Sequence, residues 1–317
     1  MASSGTNSEL VCLACRARSE RGRELYTLSR AGDELVCDNP ACGRRYPIVD
    51  GIPVVAPDVD AHLQKWGAEL VDGQPDALAE HLSIYLDAHW ADRATPELIK
   101  RLINSEDVIK RLINSCAAGG RVGRAVELGC GPGRAVYELA ATADVVVGVD
   151  AQLAALRRAR RLLDGESIDY GRRIVGRHYE TVRVAAPARV DNVTLVCADA
   201  LDPPLIPQSY DRVVALNLLD AVVSPPQLLA VVDGLCAPGG EVILASPYAW
   251  QSGIVADEHR FGGADPAAAL RRRFVDGDGL EARYRVEDEA ELPWVLRRDA
   301  RSAVVYQVHW LRARKSR

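Results

Sequence analysis

An α/β fold built on a doubly wound parallel sheet is predicted by three features of this chain. From Arg121 onward short apolar runs alternate with helical segments, the first run opens into a glycine-rich turn, and two later runs end in an aspartate. Such alternation buries a parallel sheet between helices and puts ligands at the carboxyl ends of the strands. The strands are read in RAVEL, in DVVVGVD ending at Asp150, in VTLVCADA carrying Asp199, in YDRVVALNLL and in GEVILASPY. The helix after the glycine turn places Val136, Leu139 and Ala140 inward.

At 317 residues and 48% hydrophobic content, the chain has room for one large domain and a small appendage. Three units are expected: 1–57, 58–120 and 121–317. The first residues lack a basic start followed by an apolar run, and no apolar stretch approaches the roughly 20 residues of a membrane span. A cytoplasmic protein without a membrane partner is therefore expected. The net charge of −5 falls entirely within 58–120, and the other two units are neutral. A chain gripping a phosphate backbone carries a basic surplus where it grips, so nucleic acid is not expected as a partner.

Residues 1–57 combine short apolar alternations with turn residues, ending in Tyr46-Pro47-Ile48-Val49-Asp50-Gly51-Ile52-Pro53. Small strands and turns are predicted. Cys12 and Cys15 are three apart, Cys37 and Cys42 five apart, and a loop separates the pairs. This spacing predicts a tetrahedral, structural Zn²⁺ with four thiolate ligands and no open position for catalysis. Cys116, Cys130, Cys197 and Cys236 are scattered and read as core. The unit resembles the short zinc-ribbon proteins that activate methyltransferases, which implies an accessory ribbon and no particular substrate.

Residues 58–120 read as helical and acidic, with Leu78, Leu82 and Leu86 four apart and His89 continuing the stripe. Thr95-Pro96-Glu97 has the makings of a helix start. The heptapeptide IKRLINS occurs at Ile99 to Ser105 and again at Ile109 to Ser115. A ten-residue shift turns a helix by about 1000°, so the copies do not share one straight face. His81 and His89 are read as packed or solvated helix residues, and the unit as a candidate lid.

Glycine loops serve several cofactors, and spacing separates them. The nicotinamide fingerprint requires glycine where Arg134 stands, and there is no Gly-Lys-Ser/Thr for a triphosphate. What remains is Glu127-x-Gly129-x-Gly131-x-Gly133, followed by Asp150. That set resembles the class I S-adenosylmethionine-dependent methyltransferases, a Rossmann-like fold, over about 121 to 317. The resemblance implies S-adenosyl-L-methionine held by Glu127, Gly129, Cys130, Gly131 and Gly133. Asp150 with Ala151 would take the ribose hydroxyls, and Asp199 with Ala200 the adenine amino group. Asn217 lies where the fourth strand opens toward the methyl donor.

Beyond this core, Asn217-Leu218-Leu219-Asp220, Ser246-Pro247-Tyr248-Ala249-Trp250, Arg297-Arg298 and Trp310-Leu311-Arg312 resemble the methyltransferase domain of ovothiol biosynthesis, which methylates an imidazole nitrogen of 4-mercaptohistidine. The loop here is richer in glycine, and Ser302-Ala303 replaces basic and aromatic character. N-methylation of a small imidazole-like or amino-acid-derived substrate is what the resemblance implies. On this reading Tyr248 and Trp250 wall the pocket or pack in the core. Arg298 or Arg301 binds a substrate carboxylate, and Asn217 or Asp220 orients the acceptor. His259 is a proton acceptor or a surface residue, and His178 and Glu180 belong to a candidate lid. Two alternatives stand beside this reading: an rRNA or tRNA methyltransferase that grips RNA with the ribbon, and a non-catalytic module that senses cofactor.

Overall fold

The computed structural model describes residues 9–18, 25–66, 75–91, 108–251 and 253–317, with backbone only for 18 and 75–80. The helix start at Thr95, the first IKRLINS copy and the side chain of Leu78 lie outside the described residues.

The amino-terminal unit has one short helix, α1 (Leu13–Arg18), followed by β1 (Leu28–Ala31), β2 (Glu34–Cys37), β3 (Arg45–Val49) and β4 (Ile52–Pro53). The four strands form a sheet in chain order with antiparallel neighbours. Alternation along β2 turns Leu35 and Cys37 inward and leaves Glu34 and Val36 half-buried, the period of two that a one-sided sheet requires.

The connector contributes α2 (Val59–Trp66), α3 (Pro75–Trp90) and α4 (Val108–Gly119). Leu82 and Leu86 of α3 are buried, as their spacing demands. The second IKRLINS copy lies in α4, where Leu112, Ser115 and Cys116 face inward.

The remaining elements are β5 (Val122–Leu128), α5 (Arg134–Ala140), β6 (Ala143–Asp150), α6 (Leu153–Leu163), the hairpin β7 (Ser167–Val175) and β8 (His178–Ala185), β9 (Val193–Cys197), β10 (Tyr210–Leu216), α7 (Pro225–Leu235), β11 (Cys236–Ser246), α8 (Pro266–Asp276), β12 (Tyr284–Arg297) and β13 (Ala303–Lys315). Seven strands form one sheet in the order β12-β13-β11-β10-β5-β6-β9. β13 runs antiparallel to both neighbours, and the other pairings are parallel. This is a mixed α/β fold with a central, mostly parallel sheet of Rossmann-like order. The chain leaves β5 outward in one direction and returns to β10 on its other side. The strand order therefore reverses between β5 and β10, where a crevice opens at the carboxyl ends. At the opposite ends Arg212 and Glu241, both buried, pair at 2.6 Å, and Glu241 also accepts from Arg314 at 3.1 Å.

The amino-terminal unit is sewn onto this sheet. Leu10 and Leu205 form an antiparallel bridge, and Val11 N donates to Pro204 O at 2.9 Å. Arg16 donates to Pro203 O at 2.7 Å and pairs with Asp202. Leu10, Leu13, Leu28, Leu35, Tyr46 and Val55 belong to the same buried cluster as Val126, Val147 and Val196 of the sheet. Units 1–57 and 121–317 thus share a core. No helix among the described residues is long and apolar enough to cross a membrane.

Candidate active site

The glycine turn after β5 is folded by its own backbone. Gly129 N and Cys130 N both donate to Val149 O, at 2.8 and 3.0 Å. Asp150 clamps the turn from the next strand: one carboxylate oxygen accepts from Gly131 N and the other from Gln152 N, each at 2.8 Å. Burial raises the Asp150 pKa, and these two donors oppose the rise. Gly131 has φ +50°, and a Cβ there would meet nothing within 4 Å, so bare backbone faces open space. Gly133 has φ +79° and a different task. A Cβ there would lie 2.8 Å from Cβ of Ala159, so this glycine lets α5 and α6 approach closely.

In front of the turn lies a cavity of about 520 Å³, within the roughly 300–1,000 Å³ of small-molecule sites. Its lining includes Glu127, Gly129, Cys130, Gly131, Asp150, Ala151, Asp199, Ala200 and Asn217, all named from the sequence. Gly133 is the exception and is corrected to a packing role. Glu127 is 3% exposed, and desolvation holds its pKa well above the ordinary 4.5. Its Oε2 and the Oδ1 of Asn217 are buried without hydrogen-bond partners. Asn217 sits at φ +53°, a conformation that asparagine tolerates better than most residues, with its N–H on Ala245 O at 2.7 Å. Two orphaned oxygens in one cavity are what a site built to receive donors from a ligand looks like.

The far wall comes from residues the sequence reading did not assign to the site. Lys65 and Trp66 of α2, His81, Tyr85 and His89 of α3, and Trp294 of β12 join the lining. Tyr85 lies 4.7 Å from the His81 ring, 6.1 Å from His89 and 6.2 Å from Trp294. The connector thus covers the cavity. His62 of α2 reaches beneath it, its Nε2 3.1 Å from Ala151 O, and desolvation lowers its pKa. The i, i+4, i+8 spacing of the three α3 rings was the available signal. Trp294 had none, because only strand pairing brings it in.

Five candidate catalytic residues do not line the cavity: Tyr248, Trp250, Arg298, Arg301 and Asp220. Tyr248 and Trp250 have φ +51° and +42°, a kink after β11 that turns both rings into another cluster. There Tyr248 Oη lies 2.7 Å from His309 Nδ1, and Trp250 packs edge-on against Phe261. Gln251, Gly253 and Ile254 line the cavity instead. Arg298 and Arg301 fall in the turn beyond Arg297↔Ala303, the final pair of the β12–β13 ladder, past the point where Trp294 meets the cavity. Arg298 lines a small cleft with Arg172 and Asp87, and Arg301 is exposed.

Asp220 is 3% exposed and braces the site from behind, accepting from Ser246 Oγ at 3.3 Å and Ala249 N at 3.2 Å. Its neighbours Ala221 and Val222 line the cavity. His259 is half-buried, with Nδ1 2.7 Å from Val223 O. The hairpin bearing His178 and Glu180 braces the back of α3: Tyr170 Oη and Arg172 Nε both donate to Asp87, each at 2.6 Å.

The four ribbon cysteines converge, with all Sγ atoms within 4.8 Å of one another. Cys15 and Cys37 are 3.7 Å apart, and Cys12 and Cys42 3.9 Å. Asn39 donates from its backbone to Cys37 Sγ and from its side chain to Cys15 Sγ, both at 3.4 Å. Hydrogen bonds to sulfur of this kind stabilise thiolate ligands.

Residues 126–244 match the family model described as a methyltransferase domain. That stretch is therefore similar to a methyltransferase domain. Among solved structures it is similar to the N-methyltransferase NodS from Bradyrhizobium japonicum WM9, at 14% identity, covering 70% of this chain and 98% of that one with a TM-score of 0.45. It is also similar to magnesium protoporphyrin IX methyltransferase (ChlM) from Synechocystis PCC 6803 with bound SAM, at 14% identity, 83% and 100% coverage and a TM-score of 0.47. A third is the complex of the Haloferax volcanii Trm112 methyltransferase activator with a putative methyltransferase, at 17% identity, 76% and 96% coverage and a TM-score of 0.47. No curated protein matches the chain.

The donor that a methyltransferase domain implies is S-adenosylmethionine, and the residues present fit it. Its ammonium needs a buried acceptor, and the free oxygens of Glu127 and Asn217 supply one. Its ribose hydroxyls and adenine amino group donate hydrogen bonds, which Asp150 and Asp199 in the lining would accept.

Proposed function

We propose that this protein is an S-adenosylmethionine-dependent N-methyltransferase acting on a small imidazole-like or amino-acid-derived molecule, with a structural zinc ribbon fused in front. The observation that carries this reading is the cavity itself. One space of about 520 Å³ joins the glycine turn and acids to an aromatic wall roofed by the connector helices.

The bound donor supplies a strongly electrophilic sulfonium methyl group. The protein's work is then alignment and exclusion of water. Glu127 and Asp150 hold charge and orientation on one side. Tyr85 and Trp294 offer flat apolar faces to an acceptor ring on the other, and α2 and α3 keep water out. With Arg298 and Arg301 outside the lining, a mercaptohistidine-like carboxylate has Lys65 as its cationic partner. Cys12, Cys15, Cys37 and Cys42 would hold the zinc as four thiolates.

Among the described ribbon arginines, Arg16, Arg44 and Arg45 lend the RNA reading no support. Arg16 is bound to Asp202 and Pro203 O, Arg44 to Pro57 O and Arg45 to Glu34. The test is a transfer assay with methyl-labelled S-adenosylmethionine. Histidine, mercaptohistidine and related imidazoles are offered in parallel with total RNA, and products are read by mass spectrometry. Label on a small imidazole supports the proposal, and label on RNA alone overturns it.

A further inference from the structure

The cavity face of α3 presents His81, Tyr85 and His89 one turn apart. Tyr85 is a wall rather than a base: burial pushes its pKa up to about 12, so the hydroxyl keeps its proton. Trp294 extends the wall and is itself stacked on Tyr306 at 5.6 Å. The cavity's carboxylates have other partners or places. Asp150 clamps the glycine turn, and Asp199 accepts from Leu201 N at 2.8 Å. Asp220 is tied to Ser246 and Ala249 behind the wall, and Glu127 lies beneath the glycine turn. His62 is bonded to Ala151 O. Of the two histidines on the wall, His89 is half-buried and His81 is exposed.

We propose that His81 is the proton acceptor of the reaction, and that the methyl acceptor is a planar nitrogen heterocycle bearing an N–H, seated against Tyr85 and Trp294. This rests on the methyltransferase reading above. In the step, a ring nitrogen lone pair forms the new N–C bond as the donor's C–S bond breaks, and sulfur keeps that electron pair. The methylated ring is then cationic. Its N–H proton passes to the lone pair of a His81 ring nitrogen, the N–H electrons neutralise the ring, and the imidazolium releases the proton to solvent. The cavity side of the ring is partly desolvated, which lowers His81 from its ordinary 6.5, while its exposed side gives the proton a way out to solvent. The groups lining the same space are Tyr85 and His89 from its own helix, Lys65 of α2, Glu127 of β5, Asp150 of β6 and Asp199 after β9.

The test uses the full-length, zinc-loaded protein with isotope-labelled histidine, first bound to S-adenosylhomocysteine and then titrated with imidazole as the probe. The His81 resonance is assigned by its loss in His81→Gln. It is expected to titrate below 6.5 and to shift saturably with imidazole, and Tyr85→Ala is expected to weaken that response at least tenfold. With any ring acceptor found in the labelled assay, His81→Gln is expected to lower kcat about a hundredfold while S-adenosylhomocysteine affinity stays within twofold. If S-adenosylhomocysteine binds but imidazole leaves His81 unmoved, or moves His89 alone, the inference is overturned and the donor site stands. If S-adenosylhomocysteine does not bind at all, the methyltransferase reading fails and takes the inference with it.

Discussion

Val54 pairs in parallel with Cys197 at the outer edge of the seven-stranded sheet, and Val55 N donates to Cys197 O at 2.9 Å. The amino-terminal unit thereby covers an edge that would otherwise expose unpaired backbone groups. It also delivers α2 to the cavity: four residues past Val55 the helix begins, His62 meets Ala151, and Lys65 and Trp66 join the lining. Order in the amino-terminal unit and order at the cavity are therefore mechanically linked.

Zinc removal is expected to reach the donor site through this link. Structural zinc contributes on the order of 10 kcal/mol in small metal domains. A loss here of even about 3 kcal/mol moves a melting transition by roughly 6–12 °C. Cys15→Ser is expected to abolish zinc binding, lower the transition by that amount and weaken S-adenosylhomocysteine binding at least tenfold. Metal analysis, calorimetric melting and titration calorimetry check the three outcomes. An unchanged melt after complete zinc loss would sever ribbon from fold.

Glu127 sets a pH dependence whose sign follows from its surroundings. Its folded pKa is raised well above 4.5 by burial. In the window between these values the folded state holds a proton that the unfolded state has lost, so this contribution is present at low pH and fades as pH rises. Asp150 and Asp220, also raised by burial, act in the same direction. Thermal melts of the ligand-free protein from pH 5 to 8 are expected to fall less steeply for Glu127→Gln than for wild type. The variant is expected to bind S-adenosylmethionine at least tenfold more weakly. A wild-type slope retained in the variant would place the titrating group elsewhere.

Two glycines of one motif are expected to fail differently. At Gly133 a methyl group meets Ala159 at 2.8 Å in a packed interface, so Gly133→Ala is expected to cost about 1–3 kcal/mol of stability. At Gly131 the space is open and faces the cavity, where on the proposed reading the donor would approach. Gly131→Ala is expected to cost about 1 kcal/mol for its left-handed backbone and to weaken donor binding more than tenfold. Denaturant melts alongside ligand titrations separate the two effects.

The cysteine pairs, the glycine turn and the strand-terminal acids were legible in the sequence because each is local: spacing along the chain sets their geometry. Gly133 shows the limit even there, since its reason lies in Ala159 on another helix. The acceptor wall was not legible. Trp294 reaches the cavity only through the order β12-β13-β11, and Tyr85 through a helix whose docking depends on Asp87, Tyr170 and Arg172. For Tyr248 and Trp250 the sequence left pocket wall and core both open, for the converse reason. Their position after the fifth strand of the alternation was right, but two positive φ angles turn their rings away, and a motif does not encode that kink.

Tyr248 supplies the sharpest check on the wall as drawn here. Its hydroxyl lies 2.7 Å from His309 Nδ1, and His309 Nε2 lies 3.0 Å from Glu289, so the three groups form a chain outside the cavity lining. Tyr248→Phe removes one hydrogen bond and leaves the ring in place, at a cost of about 1 kcal/mol. The expected result is a slightly lower melting temperature, with donor affinity and turnover within twofold of wild type. Tyr85→Ala under the same assay is expected to keep donor affinity and lose acceptor turnover at least tenfold. A large loss of turnover in Tyr248→Phe with turnover preserved in Tyr85→Ala would exchange the roles of the two tyrosines and return the acceptor to the kink after β11.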